Sequence, residues 1–266
     1  MRTILRSAFG ALPILAVVAG ASALLGGLAA TPPAEVEIAG FSTNLAERTP
    51  AQKWNARLAA QALDGVRIAP GAVLSFNRTV RSWSLDRGYV KAPVSYEGEL
   101  VSAFGGGVCQ TSTTLYNAAL LAGLDVLERH RHTHLPRYIA PGRDAAVAQI
   151  ALDLRIRNPY PYPVRLRTST RSGRLDVRIL GPHRPPHLPA IETRVMSWQD
   201  PERLVRTGGV SHNGASQAFL RSPGVGGCRV VTYRVRRNAA GAVLWERLSD
   251  DTYPAMDRIV AVGAAQ

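Results

Sequence analysis

Three consecutive glycines, Gly105, Gly106 and Gly107, are followed by Val108 and then by a cysteine that opens a helical pattern. Glycine tolerates backbone conformations and close approaches that other residues avoid, so this run predicts a sharp turn packed against another segment. The residues that follow predict a helix from Cys109 to about Leu121. The first turn of a helix has unpaired N–H groups and the positive end of the helix dipole, which together favour a thiolate. Cys109 is therefore a candidate nucleophile.

A nucleophilic cysteine needs a base, and the segment ERHRHTH supplies His130, His132 and His134 at two-residue intervals. We expect a strand from Asp125 to His134. Alternate residues of a strand share one face, so all three imidazoles would point at the start of the helix. His132 is the predicted base.

An orienting acid comes from Asp144 or Asp153, which follow the histidines in the chain. The order cysteine, histidine, aspartate on a helix and two later strands is similar to that of papain-like and transglutaminase-like folds. The backbone N–H groups of Cys109 and Gln110 are candidate oxyanion donors. Supporting polar side chains on or near the helix are those of Gln110, Tyr116 and Asn117.

Three other interpretations of these residues stay open. The glycines and Cys109 could form a purely structural turn, with the histidines on the surface of a strand. Three histidines on one face could also hold zinc or copper, but no fourth protein ligand is apparent nearby, and we expect neither a metal nor a cofactor. A disulfide between Cys109 and Cys228 is chemically compatible with export, although the two residues lie in segments that look structurally separate.

The N-terminus indicates export. Residues 1–30 carry Arg2 and Arg6, then an apolar run with small residues and no charge until Glu35, which is the form of a secretory signal. The run at residues 8–30 is long for a signal core, so an uncleaved membrane anchor is the alternative. Either form places the body of the protein outside the cytoplasm, in the cell envelope or beyond it.

The charge balance has two interpretations: a GC-rich coding sequence that favours arginine and alanine, or a surface that attracts an anionic partner. The net charge is +13, and almost all of the positive charge is arginine, because the only lysines are Lys53 and Lys91. Such a surface attracts anionic wall polymers such as those associated with peptidoglycan. The chain has neither a long basic run nor a basic stripe interleaved with aromatic residues, so nucleic acid is not an expected partner.

The order of elements predicts an α+β fold, with early helices packed on an antiparallel sheet and a small β-rich module at the C-terminus. Thr49 and Pro50 predict the start of a helix that runs to about Leu63, with one apolar face made of Trp54, Leu58, Ala59, Ala62 and Leu63. Strands are expected at 73–77, 89–94, 100–104 and 146–158, in a hairpin that turns at 171–174, and in a second hairpin around 238–241. Residues 182–224 are expected to form a linker and a poorly defined segment.

Seven ordered motifs resemble those of the VanW family, a group of exported bacterial proteins named after an accessory gene of vancomycin-resistance clusters. The resemblance covers residues 40–181, and residues 225–264 are similar to the G-five type of extracellular β-module. The VanW resemblance implies a cell-envelope setting and a link to glycopeptide resistance, and it carries over Cys109, His132 and Asp144. The motifs are SFN (75–77), RGY (87–89), AP (92–93), GGGVCQTSTTLYNAALLAGL (105–124), ERHRHTH (128–134), PGRDAAV (141–147) and LDLRIRN (152–158).

Two functional hypotheses follow. The first is an exported cysteine enzyme that transfers or hydrolyses acyl groups of wall peptides, with Cys109 as nucleophile, His132 as base and Asp144 as the orienting acid. The second is a non-catalytic accessory protein that binds the cell wall or a glycopeptide through its basic surface.

Overall fold

The computed structural model describes residues 34–96, 99–209, 218–238 and 240–263, which belong to one compact unit. The predicted signal or anchor at residues 1–30 lies outside the described residues. No helix within the described part is long and apolar enough to cross a membrane.

The described chain has an α+β fold in which strands predominate over helices, so the predicted fold class is confirmed at this level. The helices are α1 (Pro50–Leu63), α2 (Phe76–Val80), a single 3₁₀ turn (Leu85–Arg87) and α3 (Val108–Leu121). The strands are β1 (Val36–Asn44), β2 (Arg67–Ile68), β3 (Val73–Ser75), β4 (Lys91–Tyr96), β5 (Glu99–Phe104), β6 (Asp125–Glu128), β7 (Arg155–Arg157), β8 (Val164–Arg171), β9 (Arg174–Gly181), β10 (Ala190–Gln199), β11 (Arg203–Gly209), β12 (Ala218–Val225), β13 (Gly227–Arg237), β14 (Val243–Tyr253) and β15 (Met256–Gly263).

The main sheet is antiparallel and has the strand order β1-β9-β8-β2. The predicted hairpin is present as β8 and β9, which turn through Ser172 and Gly173 with positive φ angles. The strand β1 was not predicted and forms one edge of this sheet by pairing with β9. Helix α1 packs on β8, and α3 packs on β1 and β9, so the early helices lie on an antiparallel sheet as expected.

Helix α1 begins and ends where the sequence predicts. Its N-cap Thr49 forms a capping box with Gln52, which satisfies two N–H groups that the helix itself leaves unpaired. Ala59 and Leu63 of the apolar face are buried, but Trp54 is 43% exposed. Its indole N–H donates instead to the carbonyl of Gly88, which keeps the ring at the surface.

Helix α3 is central to the fold and is buried along almost its whole length. Because a buried hydroxyl or amide needs a partner, each polar side chain in QTSTT bonds to a specific neighbour. Thr111 donates to the carbonyl of Ala56 in α1, and Ser112 donates to the carbonyl of Ala145 at 2.6 Å. These bonds fix α3 against α1 and against the loop that carries Asp144.

Two of the predicted strands are much shorter in the structure. The strand expected from Asp125 to His134 ends at Glu128, and the strand expected over residues 146–158 is present only as β7. Between them the chain makes only isolated bridges, including His130 to Ala146. Residues of this loop instead make the hydrogen bonds to Asp144 that are described below.

The C-terminal half contains two three-stranded sheets, with the orders β10-β13-β14 and β11-β15-β12. The predicted hairpin is present as β13 and β14. Strands β10 and β11 and most of β12 lie within residues 182–224, and β10 pairs along β13. The buried Arg234 donates to the carbonyl of Leu124, and Thr232 donates to the carbonyl of Gly142. The C-terminal strands therefore pack directly against the segments on either side of the candidate site.

Candidate functional site

Each glycine of the turn before α3 has a structural reason. Gly105 and Gly107 adopt left-handed backbone, with φ of 85° and 108°. A Cβ on Gly106 would lie 2.7 Å from the carbonyl oxygen of Pro93, and a Cβ on Gly107 would clash with the carbonyl oxygen of Gln52. The glycine run therefore lets the start of α3 press against α1 and β4.

Cys109 is the second residue of α3, after the N-cap Gly107. Its side chain is partly exposed, and the Sγ–H donates to the carbonyl of Val147 at 3.4 Å. In the described part of the chain no acceptor contacts its backbone N–H, so this group can serve as an oxyanion donor. The backbone N–H of Gln110 donates to the carbonyl of Gly107 at 3.1 Å, and this occupied donor does not fit the predicted second oxyanion contact.

His132 and Asp144 form a tight pair beside the thiol. The Nδ1 of His132 lies 2.7 Å from Oδ2 of Asp144, and the backbone N–H of His132 donates to the same oxygen at 2.7 Å. Two bonds to one carboxylate fix both the position and the orientation of the ring. With Nδ1 on the carboxylate, Nε2 is the ring nitrogen left to exchange a proton with Cys109.

The carboxylate of Asp144 is 1% exposed and has further donors. Arg129 donates from Nη2 to Oδ1 at 2.9 Å, and the hydroxyl of Tyr253 donates to the same oxygen at 2.5 Å. A buried carboxylate with this many donors stays ionised. It therefore presents a fixed negative charge to His132.

The charges of the three groups are coupled. Burial raises the pKa of the Cys109 thiol, but the hydrogen bond and positive charge of His132 outweigh this and lower it below its ordinary value. Burial lowers the pKa of His132, but its bonds to Asp144 and Cys109 raise it to about 9. Burial raises the pKa of Asp144, but His132 and Arg129 bring it down to about 2. This arrangement favours a thiolate facing an imidazolium at neutral pH.

The sequence did not reveal that Arg129 and Tyr253 donate to Oδ1 of Asp144. Arg129 donates from Nη1 to both carboxylate oxygens of Asp251, at 2.8 and 2.7 Å, and thereby links the loop to β14. Tyr253 comes from the end of the same strand. Arg129 lies inside the ERHRHTH motif and could have been suspected from it. The segment SDDTYP of β14 carries no local signal of this role, since only the tertiary fold brings it to the site.

A second group of missed residues flanks the thiol. The Tyr138 hydroxyl lies 3.3 Å from the carbonyl oxygen of Cys109, and its ring meets that of His132 edge to face, with centroids 6.4 Å apart. The guanidinium of Arg48 lies 4.7 Å from the centroid of the Tyr138 ring. Arg48 also donates from Nε to Oε1 of Gln110 at 2.9 Å.

The three histidines do not share one face, because the strand that would have aligned them ends before His130. Nε2 of His130 pairs with Glu128 at 3.0 Å, and Nδ1 of His134 lies 3.1 Å from the carbonyl oxygen of Pro254. Of the three histidines, only His132 acts on the pKa of the Cys109 thiol. Among the described residues no group of three or more histidine, cysteine, aspartate or glutamate side chains is placed to hold a metal ion.

The other predicted site residues have supporting positions. Asp153 accepts from the Ser75 hydroxyl at 2.5 Å and from the Asn77 backbone at 2.9 Å, so it stabilises the start of α2 and lies away from His132. Asn117 donates to the carbonyl of Arg143 at 2.7 Å and so positions the loop next to Asp144.

Tyr116 and Gln110 are buried in the same region of the fold. The Tyr116 ring packs under the guanidinium of Arg129 at 5.6 Å from its centroid. Gln110 is 2% exposed and donates to the backbone carbonyl of Asn44 at 2.9 Å, which ties α3 to β1. Both residues therefore support the site from within the core and do not line its open side.

Both cysteines are free thiols in the structure. Cys228 is buried in β13 beside Val230 and Tyr253, while Cys109 faces the histidine. The disulfide alternative is therefore not realised in this conformation.

The comparisons with known proteins concern mainly the N-terminal half. Residues 51–180 match the family model described as VanW like protein. The chain is 38% identical over 125 residues to the uncharacterized protein YoaR of Bacillus subtilis, with 47% of this chain and 41% of that protein covered. It is 33% identical over 111 residues to the vancomycin B-type resistance protein VanW of Enterococcus faecalis, with 40% of each chain covered. The match therefore spans about two-fifths of the length of each of these relatives.

A solved structure of a G5 protein is among the matches. The crystal structure of HP0197-G5 is 15% identical and covers 29% of this chain and 97% of its own, with a TM-score of 0.16. A TM-score this low carries no argument about fold or function, so the similarity of residues 225–264 to a G-five module stays a prediction.

Proposed function

The chain contains a VanW-like domain over residues 51–180, and from this premise we propose that it is an exported cell-envelope protein that acts on wall peptides as a cysteine acyl transferase or amidase. The observation that carries the catalytic part is the pairing of His132 with Asp144 at 2.7 Å beside Cys109, which lies at the start of a buried helix and whose thiol pKa His132 lowers. The envelope setting is supported by the signal-like residues 1–30, and the link to glycopeptide resistance by the similarity to the vancomycin B-type resistance protein VanW.

The chemistry follows from the charges. The thiolate of Cys109 attacks the carbonyl carbon of an amide, and the backbone N–H of Cys109 donates to the oxyanion that forms. The imidazolium of His132 gives its proton to the leaving amine as the C–N bond breaks, which leaves a thioester on Cys109. Water, or an acceptor amine in a transfer reaction, then attacks the thioester. His132 takes up the proton of that nucleophile, and the thiolate is released.

Asp144 orients this exchange without taking part in it. Its two contacts with His132 hold the ring while its charge favours the imidazolium. The chain order of nucleophile, base and acid is that of papain-like enzymes, and a similar catalytic arrangement is part of the proposal. Its support is the local geometry of these three residues.

The test uses purified muropeptides and the exported part of the chain. Wild-type protein is expected to change their product profile, and Cys109→Ala is expected to leave them intact, with matching circular dichroism spectra as the folding control. Identical profiles from folded wild type and from Cys109→Ala would contradict an enzymatic role.

A binding function without catalysis is the second candidate, and the net charge of +13 favours it. An arginine-rich surface attracts anionic wall polymers, and the attraction weakens as salt rises. If binding is the whole function, salt-sensitive retention on isolated cell walls survives Cys109→Ala, and muropeptides stay unchanged.

A further inference from the structure

A positive charge that the reaction steps above do not use lies over the ring of Tyr138, which in turn meets the ring of His132 edge to face. Arg48 is partly buried, and among the residues that the structure describes no carboxylate forms an ion pair with it. Arg129 and Arg234 are more deeply buried, and each of them is paired with carboxylates of this chain. Removing a guanidinium from water without an ionic partner is costly, and an external anion would offset that cost.

The position of Arg48 is fixed by its neighbours. Its Nε edge is held by Oε1 of Gln110, which is itself anchored to the backbone of Asn44 and to Thr43. The face of the guanidinium lies over the ring of Tyr138. Among the residues that the structure describes, no acceptor contacts the Nη atoms, and two parallel N–H groups on one edge match the two oxygens of a carboxylate.

Tyr138 contacts both the guanidinium of Arg48 and the ring of His132. Its hydroxyl lies 3.3 Å from the carbonyl oxygen of Cys109, and its ring contacts that of His132. The ring of Tyr138 therefore lies between the guanidinium of Arg48 and the imidazole of His132.

We propose that Arg48 determines substrate specificity by binding a free carboxylate of the peptide close to the amide that Cys109 attacks. This inference rests on the proposed cysteine chemistry and narrows the substrate class to peptides with a carboxylate close to the scissile bond. A carboxyl-terminal peptide end is one source of such a group, and an acidic side chain is another.

The test uses two thiol reagents of nearly equal size and different charge, so it needs no knowledge of the natural substrate. Iodoacetate carries a carboxylate, while iodoacetamide is neutral, and both alkylate a thiolate with loss of iodide. The measurement is the rate of modification of Cys109 by each reagent, followed by mass spectrometry of the peptide that contains it. Cys109→Ala provides the blank for the second thiol.

In wild type we expect a high ratio of the iodoacetate rate to the iodoacetamide rate. Arg48→Gln is expected to lower that ratio about fivefold, as for loss of a partly exposed ion pair, while the iodoacetamide rate changes little. Arg48→Lys keeps the charge and is expected to retain part of the ratio. Arg237→Gln is the matched control, because it removes the same charge from an exposed position on the distant β13–β14 hairpin.

Salt supplies a readout that does not depend on a variant. The wild-type ratio is expected to fall as sodium chloride is raised, because screening weakens the attraction between Arg48 and the carboxylate. If Arg48→Gln does not fold, Arg48→Lys and this salt dependence decide the question.

The outcomes separate the two proposals. An equal ratio in wild type and in Arg48→Gln, with fast iodoacetamide reaction in both, overturns the role of Arg48 and leaves the thiolate intact. Slow reaction of wild type with both reagents overturns the proposed cysteine chemistry, and the inference about Arg48 with it. To distinguish the two carboxylate sources, a peptide with a free carboxyl end and its amidated form can compete against alkylation by iodoacetate.

Discussion

At the scale of single residues, the site depends on one buried carboxylate. Asp144 accepts hydrogen bonds from His132, Arg129 and Tyr253 and is almost fully removed from water. A carboxylate in such surroundings keeps its charge and holds the imidazolium, which in turn favours the thiolate of Cys109. The three groups therefore act as one unit, and a change in any of them alters the protonation of the others.

The pH dependence of Cys109 follows from this coupling. The pKa of the thiol is lowered, so alkylation by iodoacetamide should already be fast below the ordinary thiol pKa of 9.0. The pKa of His132 is raised to about 9, so the imidazolium needed to protonate a leaving amine persists up to about that pH. If the proposed cysteine chemistry holds, its rate should rise as the thiolate forms and fall above about pH 9.

Asp144→Asn removes the negative charge that raises the pKa of His132. The upper limit of the activity profile should then move from about 9 toward the ordinary histidine value of 6.5. The thiol pKa should rise, and alkylation at pH 7 should slow about tenfold for each pH unit of that rise. The measurement is the alkylation rate as a function of pH, with Asp86→Asn, an exposed aspartate in the 3₁₀ turn, as control. An unchanged profile would show that Asp144 does not govern the thiol.

At the scale of elements, helix α3 and the turn before it position Cys109. The helix is surrounded by other parts of the fold, so its polar side chains hold neighbouring segments in place. The glycine turn brings the start of the helix against α1 without a side chain in between. Cys109 therefore has little freedom to move relative to His132.

Gly107→Ala tests this turn. Its φ is 108°, and an added Cβ would clash with the backbone carbonyl of Gln52, so strain and overpacking act together. We expect a loss of about 3 kcal/mol or more in the free energy of unfolding, measured by urea denaturation. Gly65→Ala is the matched control, since its φ is 77° but a Cβ there would meet no atom within 4 Å. It should cost about 1 kcal/mol. Equal losses at the two positions would be inconsistent with a close approach at Gly107.

Strand β14 supports the site from the C-terminal half. Tyr253→Phe removes the hydroxyl that donates to Asp144 and should cost about 1–3 kcal/mol, since a buried acceptor loses a donor. It should also shift the pH profile of Cys109 alkylation. Tyr233→Phe on β13 is the control, because its ring packs on Trp245 and its hydroxyl has no hydrogen-bond partner among the described residues. If Cys109 is alkylated with the wild-type pH profile in both variants, β14 does not influence the pKa of the thiol.

At the scale of the whole molecule, the elements from β1 to β9 and the C-terminal strands β10 to β15 share a polar interface. These two sets of elements are the two halves of the described chain. Arg129 pairs with Asp251, and Arg234 reaches the carbonyl of Leu124 from β13. Buried charged groups lose their partners when the halves separate, so opening this interface is costly. The described chain should accordingly unfold as a single cooperative unit.

The two cysteines report on the two halves separately. Cys228 is buried in β13 and should become available for labelling only on unfolding. We expect it to be exposed at the same urea concentration at which Cys109 loses its fast reaction with iodoacetamide. Exposure of Cys228 at lower urea, with Cys109 still fast, would instead indicate a C-terminal module that unfolds independently.

The local elements were predictable from the sequence. The bounds of α1 and α3 and the hairpins β8–β9 and β13–β14 follow from caps, turn residues and periodicity, which act within a few residues of the chain. The long strands expected on either side of Asp144 were wrong. In this region buried side chains such as Arg129 bond to Asp144 and to Asp251 of β14. These contacts join segments far apart in the chain, so local strand propensity does not predict them.

The sequence by itself determined the identity of the nucleophile candidate, its place at the start of a helix, and the histidine and aspartate to look for. Only the tertiary structure decided that His132 alone meets the thiol, that Asp144 rather than Asp153 holds it, and that β14 completes the arrangement. The physical reason is that helix starts and tight turns are set by neighbours in sequence. The partners of a buried charge are set by segments far apart in the chain, as with Asp144 and Tyr253, which are 109 residues apart.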